Sequence, residues 1–522
     1  MPDGKRFFLT TAIDYPNSRP HIGTAFEKIG ADVQARYRRM EGNDVFFLMG
    51  NDENTVKVAR KAAELGRDVK EYCDDMARQF QEVWRALDVS FDVFVQTSEP
   101  RHRRCCQKFI QIVYDNGFIR DGNYEGLYCE GCEGYKTPKD LVNGNCPEHN
   151  QPPIFRSEPC HFFKLSEFQD RLLTFYKENP DFIQPESRRN EIVALVEGGL
   201  QDVNITRQGQ DWGIPVPFGE SAFTIWVWFD ALLTYMTGIG YGSDDALFEK
   251  WWPAQMHFIG KDITRFHCAL WPAMLMAANL PPPRMVFGHG FVYVKKEETG
   301  VVEKISKSLG NVIEPMEVIS KFSSESFRYY FLRECPFPGD GEFSWQRFSD
   351  VHNSDLANNL GNLYNRVVTL ILKNYAGCLE GTAGTKPNPI GAGDVQATVQ
   401  QIQRHMDACQ YHQALEKIWR QILDPANQHV NRTEPWKLVK SDKDAARKVL
   451  FDLTEPLRAA SILLKPFLPR SAKRIYESFN FQPAWEQVRY QDVWQHPGQK
   501  DDFRVLVALG KGKENSLFPK ID

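Results

Sequence analysis

The chain opens on an apolar run at 6–13, Arg-Phe-Phe-Leu-Thr-Thr-Ala-Ile, with the pattern of a buried strand. The loop after it, carrying Asp14, Pro16, Asn17 and Pro20, punctuates the chain before a helical pattern begins. Ile22, Phe26, Ile29, Val33, Tyr37 and Met40 then recur every three or four residues and predict a helix. A second apolar run, from Asp44 to Met49, ends at Gly50-Asn51-Asp52-Glu53. Strand, helix, strand is the opening of a parallel α/β sheet. Ligands of such sheets sit at the carboxyl ends of the strands, where the loop before His21 and the loop carrying Asp52 both belong.

From about Gly117 to Phe218 the alternation breaks into short stretches rich in Gly, Pro and Cys, which predicts an inserted module. Strand-like and helical runs return at Phe223 to Phe229, His257 to Ile259 and Met285 to Val294, so the sheet is expected to resume there. Beyond Asp350 nearly everything has helical period, as in Ala414, Leu415, Ile418 and Ile422 or Val449, Leu450, Leu453, Leu457, Ala460 and Leu464. A helical bundle is predicted, with the Gly-, Pro- and Thr-rich stretch Gly377 to Gly393 connecting two of its helices. No internal repeat is present.

With 522 residues, 42% of them hydrophobic, the chain exceeds what one core usually holds, and two or more domains are expected. The net charge of -5 excludes a protein that holds nucleic acid by bulk positive charge, so any such site must be a local patch. No run of about 18 apolar residues occurs and the first strand begins too early for a targeting segment; a cytosolic protein, not a membrane one, is expected. Structural disulfides are not expected there, so clustered cysteines among the 11 are read as metal ligands. Cys129-Glu130-Gly131-Cys132 and Cys146-Pro147-Glu148-His149 are two ligand pairs separated by thirteen residues. They predict a tetrahedral Cys₃His zinc site, closed and therefore structural. The adjacent Cys105 and Cys106 lack such spacing and are assigned to packing.

Two segments could meet phosphate. His21-Ile22-Gly23-Thr24 opens the first helix, where unpaired N–H groups and the helix dipole attract anions and Gly23 lets a nucleotide approach the backbone; a histidine there also serves simply as a helix cap. Lys304-Ile305-Ser306-Lys307-Ser308 lies between Gly300 and Gly310 in a predicted loop. It can bring two movable cations onto a polyphosphate, or be a solvated basic loop like Lys295 and Lys296 nearby. In this order the two segments resemble the signature motifs of class I aminoacyl-tRNA synthetases. Ala12-Ile13-Asp14-Tyr15, Trp228-Phe229-Asp230-Ala231, Gly260-Lys261-Asp262-Ile263, Phe266-His267 and Glu434-Pro435-Trp436 narrow the resemblance further. Over nearly its whole length the chain is similar to the methionyl-tRNA synthetases of the bacterial type with one zinc knuckle.

The resemblance implies an α/β fold with a Rossmann-like parallel-sheet catalytic domain in two halves, 1–116 and 219–293, split by a zinc-binding connective insertion at 117–218. A lysine-loop and stem-contact region at 294–349 and an all-α anticodon-binding bundle at 350–522 complete it. The implied reaction joins methionine to ATP, giving methionyl-adenylate and pyrophosphate, and then moves the methionyl group to the terminal adenosine of tRNA(Met), the initiator included. The implied methionine pocket is Ile13, Tyr15, Trp228, Leu232, Tyr235, Ile263, Phe266 and His267, with Asp52 on the substrate ammonium. Aromatic and aliphatic walls suit a polarizable thioether, although each aromatic taken singly is as well a packing residue. The implied ATP site is His21, Gly23, Thr24, Asp262, Lys304 and Lys307, of which His21, Lys304 and Lys307 carry the catalysis, with Mg²⁺ accompanying the nucleotide. Trp436 would stack on an anticodon base, and Lys437, Lys440, Arg447, Lys448, Arg458 and Lys465 are candidates for a local phosphate patch. A monomer without an appended tRNA-binding domain is expected, since the sequence ends soon after Ile521.

Three departures from the family pattern stand out. Thr24 replaces a histidine and cannot carry charge, which implies weaker ATP affinity or turnover. Asn54 and Thr55 stand where the family shows His and Gly, and Thr369 and Lys373 where an asparagine and an arginine read the anticodon. Two alternatives compete. A synthetase for leucine, isoleucine, valine or cysteine is opposed by an insertion too short for an editing module and by the lack of zinc ligands on the sheet. A silent paralogue that binds tRNA or senses methionine is motivated by Thr24 and opposed by the retention of His21, Lys304 and Lys307.

Overall fold

Six parallel strands form the central sheet in the order Val93–Gln96, Asp44–Asn51, Arg6–Thr11, Met256–Gly260, Val286–His289, Ile183–Gln184. The chain starts in the middle at Arg6–Thr11, winds outward through the second and third strands, and later resumes on the opposite side at Met256–Gly260. The reversal of winding opens a crevice between those two strands at their carboxyl ends. In this computed structural model the described residues are 6–132, 134–219, 223–305, 310–390, 395–495, 500–508 and 516–521.

The predicted first helix runs Ile22–Met40 and is covered on nearly every side, so that Glu27, Lys28, Asp32 and Gln34 are buried together with its apolar stripe. One side faces the sheet; the other meets the C-terminal helices, where the Tyr411 hydroxyl donates to the Gly30 carbonyl at 3.0 Å. A Cβ at position 30 would collide with the Phe337 ring, so this crossing requires glycine.

Ile119–Cys129, Gly134–Lys136, Ile154–Phe163 and Val203–Asn204 make a separate antiparallel sheet of four strands. The same stretch also contributes Ile183–Gln184 to the edge of the central sheet, which stitches the inserted module to the catalytic body. Two apolar runs divide differently from their reading as sheet. Phe223–Ile225 pairs with Thr206–Gln208 in a two-stranded ribbon and the chain turns helical at Val227–Ala231, so the central sheet resumes only at Met256–Gly260. The run from Met285 to Val294 splits at Gly290: Val286–His289 stays in the central sheet, and Val292–Lys295 pairs with Val302–Lys304 and Gly341–Phe343. A Cβ at Gly290 would strike the Gly339 carbonyl, so only glycine passes between the two sheets. Lys304 accordingly ends a strand; it does not sit in a loop as expected, because its backbone is paired with Tyr293.

From Trp345 onward the chain is predominantly helical, and its core is continuous with that of the first helix. Arg328, fully buried, joins the parts. Its Nη2 lies 2.7 Å from Asp32 Oδ2, and it donates to the carbonyls of Leu87, Pro466 and Phe467 at 2.8–3.1 Å. Burial alone would raise the Asp32 carboxyl, but Arg36 and Arg328 bring it down to about 2. Among the described residues no helix is long and apolar enough to cross a membrane. Arg328→Met leaves Asp32 with an uncompensated share of buried charge and is expected to cost about 3–5 kcal/mol, read as a lower urea midpoint than the parent's.

Candidate active site

A cleft of about 1170 Å³ opens at the reversal point of the sheet. Its first wall is the turn after the opening strand, Ala12 to Tyr15, which is pinned to the neighbouring strand: Asp14 N donates to the Gly50 carbonyl at 3.2 Å, and Asp52 N to the Asp14 carbonyl at 2.9 Å. Asp52 therefore reaches the cleft beside Asp14 and is itself buried.

The opposite wall is aromatic. Trp228 and Phe266 stack with centroids 3.9 Å apart and planes 12° from parallel. Beneath them Tyr235 Oη and His267 Nε2 are 2.7 Å apart, and His267 Nδ1 lies 3.1 Å from the Ile263 carbonyl. That carbonyl can only accept, so Nδ1 carries the proton and the tyrosine hydroxyl donates to Nε2. Burial pushes the His267 ring down to about 4, so it is a neutral, oriented group at the floor of an apolar pocket. Leu232 and Ile263 fill the remaining wall.

The third wall is the start of the first helix. His21 is its N-cap, and its Nδ1 accepts from Thr24 N at 3.2 Å, so the ring proton resides on Nε2. Cap and cleft-lining group are thus one residue. A Cβ at Gly23 would press against the His21 imidazole at 3.0 Å, so this glycine makes room for that ring as well as for a ligand. Asp262, Lys304 and the unanticipated pair Glu27 and His289 complete this side. Lys304 is exposed, its ammonium 5.2 Å from the centre of the Phe291 ring. Lys307 lies outside the described residues. Every other residue predicted for methionine or ATP lines this one cleft.

The four predicted metal ligands converge at the rim. Cys132 Sγ lies 3.5 Å from Cys146 Sγ, and His149 Nδ1 lies 3.9, 3.4 and 3.8 Å from the sulfurs of Cys129, Cys132 and Cys146. Edges of about 3.5–3.8 Å are those of a tetrahedron of sulfur and nitrogen around one zinc-sized ion, so the donor set fits. Gly131 is required here, since a Cβ would collide with the His149 ring.

The chain matches the family described as "tRNA synthetases class I (M)" over residues 7–152 and 137–368, and the "Anticodon binding domain of methionyl tRNA ligase" over 380–505. A methionine-tRNA ligase of Caldanaerobacter subterraneus subsp. tengcongensis is 41% identical, the match covering 99% of this chain and 79% of that protein. One from Thermotoga maritima is 38% identical over 99% of this chain and 85% of its own length. The chain belongs to the methionyl-tRNA synthetases. The Mycobacterium tuberculosis methionyl-tRNA synthetase in complex with methionyl-adenylate superposes with a TM-score of 0.88 at 36% identity, covering 99% of this chain and 100% of that one. Its free form gives 0.81 at 33% identity, covering 99% and 98%.

Against this synthetase background the Asn54 and Thr55 departure has a local explanation. Thr55 Oγ1 caps the helix Val56–Glu64 by accepting from Val58 N, and Asn54 Nδ2 donates to the Thr97 carbonyl and to Asp230, tying the Asp52 loop to the helix behind the aromatic wall. In the synthetase's helical part Trp436 is half-buried, with the Arg366 guanidinium 5.6 Å from its ring centre. Arg366, which sequence reasoning missed, precedes Thr369 and Lys373 by three and seven residues on the helix Asn362–Tyr375 and shares their face. Arg458 and Lys465 do not belong to a phosphate patch. Arg458 is buried and bound to Glu455 and to the Asp492 and Val493 carbonyls, and Lys465 donates to the carbonyls of Trp485 and Val488.

Glu53, next to Asp52, is fully buried; Gln96 Nε2 donates to it at 3.0 Å and the Ser98 hydroxyl also reaches it. Burial pushes its carboxyl up to about 7 against those two hydrogen bonds. A raised folded-state value means that the folded chain holds the extra proton, so stability falls as pH rises toward 7. Glu53→Gln removes this dependence, and its melting-temperature advantage over the parent is expected to grow between about pH 5 and about pH 8.

Proposed function

We propose the following division of labour for the methionine-tRNA ligase reaction. The aromatic wall of Trp228 and Phe266, with Leu232, Ile13, Tyr15 and Ile263, holds the methionine thioether, and the Tyr235–His267 pair closes its floor. Asp52 pairs with the substrate ammonium, because a buried ammonium without a carboxylate is very costly. The observation that carries the reading is that this apolar wall, Asp52 and the His21 helix start line one cleft. A methionine carboxylate between them faces a nucleotide lying along the helix start.

In the first step a carboxylate oxygen attacks the α-phosphorus, the bond to the β,γ-phosphates breaks, and pyrophosphate leaves. Charge grows on the phosphate oxygens, and His21 Nε2–H, Lys304 and Lys307 meet it; Gly23 offers its backbone N–H, Thr24 its hydroxyl, and Asp262 receives the ribose. Mg²⁺ supplies further positive charge to the polyphosphate when bound. In the second step a ribose hydroxyl of the tRNA's terminal adenosine attacks the carbonyl carbon of the mixed anhydride and AMP departs. No protein nucleophile is needed. Trp436 stacks on an anticodon base and Arg366 supports it. Cys129, Cys132, Cys146 and His149 hold one structural Zn²⁺, and the chain works as a cytosolic monomer on initiator and elongator tRNA(Met) alike; residues of a single chain suffice to line the cleft.

Amino-acid-dependent exchange of pyrophosphate into ATP tests the chemistry without tRNA. Exchange is expected with methionine and not with leucine, isoleucine, valine or cysteine, and His21→Ala, Lys304→Ala and Lys307→Ala are each expected to lower it about 10²-fold. Exchange with none of these amino acids by folded protein would favour the silent paralogue. Metal analysis is expected to find one zinc per chain, and Cys132→Ser to lose it together with thermal stability.

A further inference from the structure

Beneath the cleft, and used by none of the roles above, lies the ammonium of Lys28, whose side chain is 0% exposed. It sits 2.7 Å from the Ala12 carbonyl, 3.1 Å from Asp14 Oδ2 and 2.6 Å from Glu27 Oε1. The Ala12 carbonyl and Glu27 accept hydrogen bonds from it, and Asp14 completes its surroundings as an ion pair. Ala12 and Asp14 belong to the turn that walls the amino-acid side. Glu27 belongs to the nucleotide side, where its other oxygen, Oε2, lies 3.0 Å from His289 Nε2, and His289 Nδ1 lies 2.7 Å from the Gly290 carbonyl. Both ring nitrogens of His289 face oxygens, and Asp14, Glu27, Lys28 and His289 form a buried chain of polar side chains running from one substrate wall to the other.

We propose that Lys28 is a positioning residue that couples the methionine and ATP subsites, its ammonium holding the Ala12 to Tyr15 turn and Glu27 in one geometry. This rests on the assignment of the two walls to methionine and ATP. Lys28 is one turn beyond Thr24 on the same helix, and it gives that helix a buried cation where the second motif position offers none. The electrostatics agree with a shared site. Burial alone would lower the Lys28 ammonium, yet Asp14 and Glu27 hold it above its ordinary value; burial would raise Glu27, yet Lys28 and His289 bring it below. Burial pushes Asp14 up to about 6 against the pull of Lys28, and its side chain, 19% exposed, is the most accessible of the four. A ligand that orders the Asp14 turn thereby orders Glu27 for the other ligand, and by reciprocity the effect runs both ways.

The test is calorimetric titration of methionine into the full chain with and without adenosine 5′-(α,β-methylene)triphosphate, which cannot release pyrophosphate. In the parent the analogue is expected to tighten methionine binding about 5-fold or more; in Lys28→Met the tightening falls to within about 2-fold of none, with each ligand still binding alone. A purely structural lysine would weaken both ligands and leave their mutual effect intact. Asp14→Asn, which keeps Lys28 on Glu27, is expected to lose the coupling too and serves if Lys28→Met does not fold. Parent-like coupling in these variants, or none in the parent, overturns the proposal. A parent that binds neither ligand would overturn the methionine and ATP reading itself.

Discussion

A helix buried on nearly every side cannot leave its inward charges unpaired, and the helix Ile22–Met40 imposes that condition on the rest of the molecule. An unpaired charge in the interior costs far more than the few kcal/mol by which a folded chain exceeds its unfolded state. Each buried charge on this helix therefore fixes a partner from a distant segment. Asp32 takes Ser90 and Arg328, and Arg328 in turn takes carbonyls from Leu87, Pro466 and Phe467. Lys28 takes Asp14, and Glu27 takes His289. Satisfying one helix draws together the two halves of the sheet and the C-terminal bundle.

The same helix supplies the chemistry at its other extreme. Its N-terminus lines the cleft, where Ile22 N donates to the Ile313 carbonyl at 3.0 Å and Thr24 N to His21 Nδ1 at 3.2 Å. Committing Nδ1 to the cap places the ring proton on Nε2, so helix capping also fixes the tautomer of a residue that lines the cleft. The neutral His267 is set in the same way, by a carbonyl on one ring nitrogen and a tyrosine hydroxyl on the other. Both histidines owe their tautomers to backbone groups, which makes the site a product of the fold's local geometry.

The inserted module shows how a small sheet is kept in register with the large one. Its four cysteine and histidine ligands fold two turns around a common point, with Gly131 giving the imidazole its space. Ile183–Gln184 anchors the module to the sheet edge, and Trp212 Nε1 donates to the Glu53 carbonyl at 2.7 Å beside Asp52. The rim of the cleft is thereby attached to its floor at two separate places.

The sequence by itself determined what depends on near neighbours in the chain. The strand, helix and strand at 6–51, the ligand pairs of the metal site and the helical period after Asp350 follow from side-chain periodicity and spacing, which local geometry dictates. The residues implied by the family resemblance, down to Tyr235 and His267, line one cleft, whereas Glu27 and His289 of the same cleft were not anticipated. Only the tertiary structure decided the contacts between distant segments. The run at Phe223 to Phe229 is as apolar as a sheet strand, yet it makes a ribbon and a short helix, because burial selects for apolar character in either conformation. Arg458 and Lys465 look like surface cations in a helical pattern and are spent on backbone carbonyls from residues 485–493. Lys28 is likewise buried against oxygens of the Ala12 to Tyr15 turn and of Glu27. A charge's partner lies wherever folding brings an oxygen within reach, and no local pattern records that distance.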